Sequence, residues 1–294
     1  MIDVNRHKKI FGEGFDYPER KNVWQLRSNT IKISSNELEN SLRGKYQKVE
    51  RLNWYKDAFV VETEKNLSKS LEHILGYFFL QNLSSMIPPL VLEPREGEII
   101  LDIAASPGSK TTQMAQLMND SGVIIANDIT HLRMKALRGN LQRCGVMNTI
   151  VTQMDGKKFF RTDLKFDKIL LDAPCTGTGT LNPRILKTTS ERGIRNLSNT
   201  QKQLLSSASK MLNEEGVLVY STCSLEPEEN EENIDYVVRK LGLVTEKINL
   251  NVSNRVNSLT DWNNKKFDDS VANALRITPD GIMEGFFVCK LRKC

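Results

Sequence analysis

From residue 97 onward the chain alternates short apolar runs with longer stretches of helical periodicity. The runs are EIILDIA (98–104), GVIIAND (122–128), TIVTQMD (149–155), FDKILLDAP (166–174), GVLVYSTC (216–223) and GFFVCKLRK (285–293). Nearly continuous apolar runs suit strands buried on both faces, and the helical spacers suit the crossovers that parallel strands need. The pattern predicts an α/β fold with a doubly wound, mostly parallel sheet. Ligands of such sheets bind outside the carboxyl ends of the strands. Four of the first five runs close on Asp102, Asp128, Asp155 and Asp172, and the fifth closes on Cys223. Chemistry-bearing side chains therefore collect where a ligand would lie.

The earlier part of the chain has a different rhythm. WQLRSNTIKI (24–33) reads as a strand, SSNELENSLRG (34–44) as a helix and DAFVVET (57–63) as a returning strand. Ser34 and Glu37 have capping-box spacing, and Gly44 is expected to supply a left-handed residue after the last turn. The polar stretch ETEKNLSKS (62–70) marks a boundary near 65. The predicted organisation is a small α+β unit over 1–65 and a larger α/β domain over 66–294.

Composition narrows the class. With 39% hydrophobic and 26% charged residues the chain reads as soluble and globular, and a net charge of +5 favours a polyanionic partner. The opening MIDVNRHKKIFGEGF has no apolar core, so no secretory signal is expected. The longest apolar stretch, ILGYFFL (74–80), is far shorter than the roughly 20 residues of a membrane span. A cytoplasmic protein with no membrane association is expected. Cys144, Cys175, Cys223, Cys289 and Cys294 are an odd set without a CxxC spacing, and the three histidines are scattered. Free thiols and no metal site follow.

LDIAASPGSKTTQMAQLM (101–118) is a strand, a tight loop and a helix, whose first N–H groups face the ligand crevice. A dinucleotide fingerprint needs GxGxxG, and only Gly108 is present. A phosphate loop needs GxxxxGK[ST], but Ala104 and Ser109 stand at the glycine positions although Lys110 and Thr111 fit. A nucleoside cofactor without pyrophosphate fits better. The loop Ala104, Ala105, Ser106, Pro107, Gly108 and Lys110 would approach an amino-acid moiety, Asp128 would accept from ribose hydroxyls, and Asp155 from an adenine amino group. That cofactor is S-adenosylmethionine, and Arg133, Gly156 and Asp172 complete the candidate set. A single strand-terminal aspartate more simply caps a helix; two on consecutive strands favour the cofactor.

Cys175 and Cys223 follow runs expected to be neighbouring strands, on the order of 5 Å apart, so they should share one site. Thiols beside a methyl donor suggest pyrimidine C5 chemistry. C5 of cytosine is too weak a nucleophile unaided, and addition of a thiolate to C6 turns C5 into an enamine carbon. One thiol must add, a second group must help remove the C5 proton, and an acid near N3 must relieve charge. The residues leave open which thiol adds.

The set LDIAASPGSKTTQ, LLDAPCTGTG, STCSLEPEENE and LRITPDGIMEGFFVCKL resembles the RNA 5-methylcytosine methyltransferase family, which includes bacterial 16S rRNA enzymes and eukaryotic Sun-domain enzymes. QNLSSMIPPLVL resembles its segment upstream of the cofactor loop, and LRSNTIKIS its small N-terminal RNA-binding unit. The resemblance implies a Rossmann-like class I methyltransferase fold. It implies Cys223 of the Thr-Cys-Ser motif as nucleophile, and Cys175 of the Pro-Cys motif as the thiol that assists adduct breakdown. Asp172 would meet the cytosine N3/N4 edge, with Lys110 as its basic neighbour. DNA 5-methylcytosine enzymes attack with a Pro-Cys thiol, but this chain lacks their target-recognition insert. Many family members read Cys-Ala-Ala-Pro-Gly-Gly-Lys where this chain has Ala104 to Lys110, which keeps the turn and the lysine.

RNA contacts are expected from Arg27 in the N-terminal unit and from the loop LNPRILKTTSERGIR (181–195), with Arg184, Lys187, Arg192 and Arg195 against one acid. EPEENEEN (226–233) is read instead as helix-dipole acids, followed by a buried face of Ile234, Val237, Val238 and Leu241. The chain resembles the short archaeal members that act on tRNA, and a monomer is expected; rRNA is the alternative substrate. A noncatalytic RNA-binding assembly factor is the competing class, and the presence of both thiols and Asp172 argues against it.

Overall fold

The structure, a computed structural model, describes residues 4–294; the first three residues of the polar opening lie outside it. A short helix, α1 (Val4–Phe11), leads into β1 (Trp24–Ser28), α2 (Ser35–Arg43), β2 (Lys48–Arg51), β3 (Ala58–Glu62), α3 (Leu71–Ile74) and β4 (Phe78–Leu80). The four strands form an antiparallel sheet in the order β2-β3-β1-β4. This sheet reaches past residue 65 for its fourth strand, because Leu26, Arg27 and Ser28 of β1 offer a free edge that Phe78–Leu80 fills.

Two local expectations are corrected here. β1 stops at Ser28, not at 33: the amides of Lys32 and Ile33 both donate to Asn29 O, folding the segment into a turn. The capping box of Ser34 and Glu37 is present, but Gly44 stays right-handed at φ −69°, and its amide donates to Asn40 O.

The chain continues with α4 (Ile87–Leu92), β5 (Ile99–Asp102), α5 (Ser109–Leu117), β6 (Val123–Asn127), α6 (His131–Cys144), β7 (Thr149–Thr152) and β8 (Phe166–Asp172). Then come α7 (Pro183–Thr188), α8 (Glu191–Met211), β9 (Leu212–Thr222), α9 (Glu231–Tyr236), β10 (Leu243–Glu246), β11 (Arg255–Asn257), β12 (Asp261–Trp262), β13 (Lys265–Lys266), β14 (Leu275–Ile277) and β15 (Phe286–Lys293). One sheet runs in the order β11-β14-β15-β9-β8-β5-β6-β7, with β10 beside β15, while β12 and β13 pair separately. β9, β8, β5, β6 and β7 are mutually parallel; β15 returns antiparallel against β9. This is the doubly wound sheet that the apolar runs predict.

Both faces of the central strands are buried. Ile100, Ile124, Leu170 and Val219 pack toward α4 and α5, and Leu101, Ile125, Ile169 and Leu218 toward α8 and α9. Each such side chain contributes about 1.5–3 kcal/mol, so β8 and β9 are held from two sides and their carboxyl ends are rigidly placed. No helix among the described residues is long and apolar enough to cross a membrane.

Arg27 does not reach the surface. It is fully buried, donating from Nε to Gln81 Oε1 (2.9 Å) and from Nη2 to Thr112 Oγ1 (2.8 Å), with Gln116 as a further acceptor. A guanidinium turned inward against α5 has no surface to offer RNA, which corrects its expected role. It clamps the N-terminal sheet to the helix of the cofactor loop.

Candidate active site

Strand register brings the two thiols together. β8 and β9 are parallel neighbours with Asp172 level with Ser221, so the residues just beyond each strand, Cys175 and Cys223, leave the same sheet edge side by side. Their Sγ atoms are 3.4 Å apart, and both side chains are half-buried. The hydrogen bond to Cys223, followed by burial, pushes the Cys175 thiol well up from its ordinary value. Cys175 is thus held as a neutral thiol.

The other polar groups converge on the same edge. Lys110 Nζ, at the start of α5, donates to Asp172 Oδ2 (2.6 Å) and to Ser85 Oγ (2.8 Å). Ser221 Oγ donates to the second oxygen, Asp172 Oδ1, at 2.8 Å. The ring of Phe286, at the start of β15, lies 5.6 Å from Lys110 Nζ. Asp172 is therefore an oriented carboxylate with a cation on one oxygen, facing the space next to the thiols.

Glycine makes the close approach of the loops feasible. Gly179 donates its amide to Cys223 O (2.9 Å), and a Cβ on it would lie 2.2 Å from Gly285 O and 2.8 Å from Cys223 O. Any side chain there would force the two loops apart. The TGTG that follows Pro-Cys is thus a packing requirement of the Cys223 loop.

The acids read as dipole partners do other work. Glu226, Glu229 and Glu231 are fully buried, because loop and helix fold back under the thiols. Glu229 accepts from Thr176 N (3.0 Å), Thr176 Oγ1 (2.5 Å), Ser224 Oγ (2.8 Å) and Gln201 Nε2 (2.8 Å). Burial raises its acid, and these donors partly offset that. Thr176 follows Cys175 and Ser224 follows Cys223, so this one carboxylate ties both thiol loops. Glu226 takes Arg6 Nε at 2.6 Å and lies 2.9 Å from His7 Nε2, which docks α1 on the same loop. Glu231 is paired with buried Arg276 at 2.5 Å. Sequence reasoning missed Ser85, Ser221, Phe286 and Glu229 as site residues. Acids in a helix-start sequence carry no signal that distinguishes a buried network from a solvated turn. Ile234 and Val237 are buried as expected.

The cofactor loop spans β5 and α5. Gly108 has φ +101°, and its amide donates to Ala105 O at 2.7 Å, closing the turn. Asp128 is buried, accepting from Ser106 N (3.3 Å) and Thr130 N (3.0 Å); Arg133 donates to Ser106 O at 3.0 Å. Asp155 accepts from Lys157 N at 3.1 Å, leaving lone pairs on the half-buried carboxylate. A Cβ on Gly156 would meet Ile103 Cγ2 at 2.6 Å, so its place is under the loop. Ala104 and Pro107 complete the turn, and Ser106 Oγ is buried without a hydrogen-bond partner. An orphaned hydroxyl, ordered aspartates on successive strands and an open helix start are the donor and acceptor set that an aminoacyl nucleoside requires, so the residues present fit S-adenosylmethionine.

Arg184 and Lys187 lie on α7, and Arg192 and Arg195 on the first turns of α8. A Cβ on Gly177 would be 3.6 Å from Ile185 Cδ1 and 3.9 Å from Cys223 Sγ, which sets α7 directly beside the nucleophile candidate. Arg195 is exposed and pairs with Glu191 at 3.0 Å.

Comparison with known proteins identifies the family. The sequence model described as 16S rRNA methyltransferase RsmB/F matches residues 89–292. The chain is 41% identical to the tRNA (cytosine(49)-C(5))-methyltransferase of Pyrococcus abyssi, over 91% of this chain and 87% of that one. It is 37% identical to the human 28S rRNA (cytosine(4447)-C(5))-methyltransferase, over 91% of this chain but 34% of the longer protein. The crystal structure of NSun6 from Pyrococcus horikoshii with SFG, an analogue of S-adenosylmethionine, superposes with a TM-score of 0.86 at 26% identity, covering 98% of this chain and 97% of that one. The chain belongs to the 16S rRNA methyltransferase RsmB/F family, whose members are S-adenosylmethionine-dependent RNA cytosine-C5 methyltransferases.

Proposed function

We propose that this chain methylates C5 of cytosine in tRNA through a covalent adduct with Cys223. The observation that carries the reading is the pair of thiols 3.4 Å apart beside an oriented carboxylate. When bound, S-adenosylmethionine supplies an electrophilic methyl group. Cys223 Sγ, as thiolate, adds to C6 of the target cytosine, and the electron pair of the C5–C6 bond becomes available at C5. Asp172, held by Lys110 and Ser221, would accept from the N4 amino group, and the Lys110 cation beside it would offset the negative charge that builds at N3 as the adduct forms. After C5 takes the methyl group, its proton must leave so that the C5–C6 double bond re-forms and the Sγ–C6 bond breaks. Cys175, 3.4 Å from Cys223, would assist this step: as a neutral thiol it does not compete for the first attack, and once its own proton has passed to solvent its thiolate takes the C5 proton while Cys223 Sγ leaves with the pair of the Sγ–C6 bond.

tRNA as substrate is supported by the Pyrococcus abyssi relative, whose length the alignment nearly spans. rRNA is the second reading, favoured by the family's description and by the human relative. Transfer of labelled methyl from S-adenosylmethionine to purified bulk tRNA and to rRNA separates them. Label at C5 of tRNA cytosines is expected; label confined to rRNA would overturn the tRNA assignment.

A further inference from the structure

Helix α8 carries a polar stripe that catalysis does not use. Arg192, Arg195, Asn199, Lys202, Ser206 and Lys210 recur at three- and four-residue steps and lie on one flank of the helix, beside its buried face. The stripe begins at the basic loop next to the thiols and runs about 27 Å. Along its lower half it borders a groove of 730 Å³ that presents Lys157, Lys158, Arg161, Lys202 and Lys210 against one acid, Asp155. Lys158, Arg161 and Lys210 are exposed, and among the described residues none has a carboxylate at ion-pairing distance. Clustered unpaired cations repel one another, and a polyanion laid across them relieves that repulsion. The groove offers bases little: its two aromatic rings, Phe160 and Tyr236, are both half-buried, and Phe160 is covered by Lys210 Nζ, 4.5 Å from its centroid. Single strands are held largely by stacking on aromatic rings, whereas duplex RNA is held by phosphate and ribose contacts.

We infer that this flank of α8 binds the phosphate backbone of a helical stem of the substrate RNA, guiding the stem down the side of the domain from the active site. The inference rests on RNA being the substrate.

The test measures binding without methyl transfer, by fluorescence anisotropy of a 20-base-pair RNA duplex of arbitrary sequence and of a single strand of equal length, over a KCl series. The triple variant Lys158→Gln, Arg161→Gln, Lys210→Gln is compared with Lys135→Gln, Arg138→Gln, two exposed cations on α6 across the sheet. The triple variant should bind duplex about tenfold more weakly near 0.1 M salt, with a log–log salt slope shallower by about 2–3. The α6 variant should keep the wild-type slope to within about one contact, and both should bind S-adenosylmethionine as wild type does. An unchanged duplex slope in the triple variant would overturn the inference, and an equal loss on the single strand would overturn its helical-stem assignment. A wild-type chain that binds duplex through this flank but methylates no RNA would refute the proposed function and leave this surface standing.

Discussion

Glu229 shows how much of the site's geometry rests on a residue that touches no reacting atom. Its two oxygens hold the residues next to each thiol, and removing them leaves the Thr176 amide without an acceptor, while Gln201 keeps only Pro174 O and the hydroxyls of Thr176 and Ser224 have only each other and Thr178 left to donate to. Each unsatisfied group costs about 1–3 kcal/mol. Glu229→Ala should therefore lower the melting temperature and also lower kcat about 10- to 100-fold, while calorimetry finds S-adenosylmethionine affinity unchanged. A variant with wild-type kcat and only a lower melting temperature would reduce Glu229 to a scaffold residue. Asp102 gives a second residue-scale test. Burial at the end of β5 pushes its acid up to about 7, partly offset by the 2.7 Å hydrogen bond from Thr111 Oγ1. Between about pH 4 and 7 the unfolded chain has this group ionised while the folded chain keeps it protonated. The group therefore stabilises the fold at low pH, and that contribution is lost as pH rises toward 7. The melting temperature of Asp102→Asn should depend less on pH across that window than that of the wild type; identical profiles would exclude the group as their source.

At the scale of elements, α5 joins the N-terminal sheet to the chemistry. Its first turn presents Lys110 to Asp172 and Thr111 to Asp102, and Thr112 and Gln116 receive Arg27 from β1. Arg27→Met removes a buried charged donor from several acceptors and should cost on the order of 3 kcal/mol, read as a lower denaturation midpoint. RNA affinity at a temperature where the variant is folded should keep its wild-type salt slope; a shallower slope would restore the surface role that the fold denies this arginine. The same helix marks what could be read in advance. Six apolar runs became β5 to β9 and β15 because strands buried on both faces leave a continuous apolar signal. β10, β11 and β14 were not read. Each is three or four residues long, and their places at the β15 end of the sheet, β14 and β10 against β15 and β11 against β14, come from tertiary pairing that leaves no periodic trace. Arg27 and the acids at 226–231 look alike in sequence whether solvated or buried, since burial is decided by partners far away in the chain.

For the whole molecule, the site is a convergence of five strand ends and helix α1, with β6 and β7 leading to Asp128 and Asp155. β5 supplies the cofactor loop, β8 and β9 the thiols, and α1 reaches across to Glu226 and Glu228 with Arg6. Asp172, Cys175 and Cys223 were legible because each motif follows an apolar run and neighbouring parallel strands end at one edge. Their order of action was not, since either thiol could add to C6 and DNA 5-methylcytosine enzymes attack with a Pro-Cys thiol, and the assignment rests on family resemblance and on the raised Cys175 thiol. The central claim is that Cys223 forms the bond to the base and Cys175 helps to break it. The most direct measurement is denaturing electrophoresis of Cys175→Ala and Cys223→Ala, each incubated with S-adenosylmethionine and bulk tRNA. Cys175→Ala should give a slow, denaturant-resistant band that ribonuclease removes, and Cys223→Ala should give none and no methylation. A band from Cys223→Ala alone would reverse the two roles, and wild-type turnover by that variant would refute covalent catalysis through Cys223.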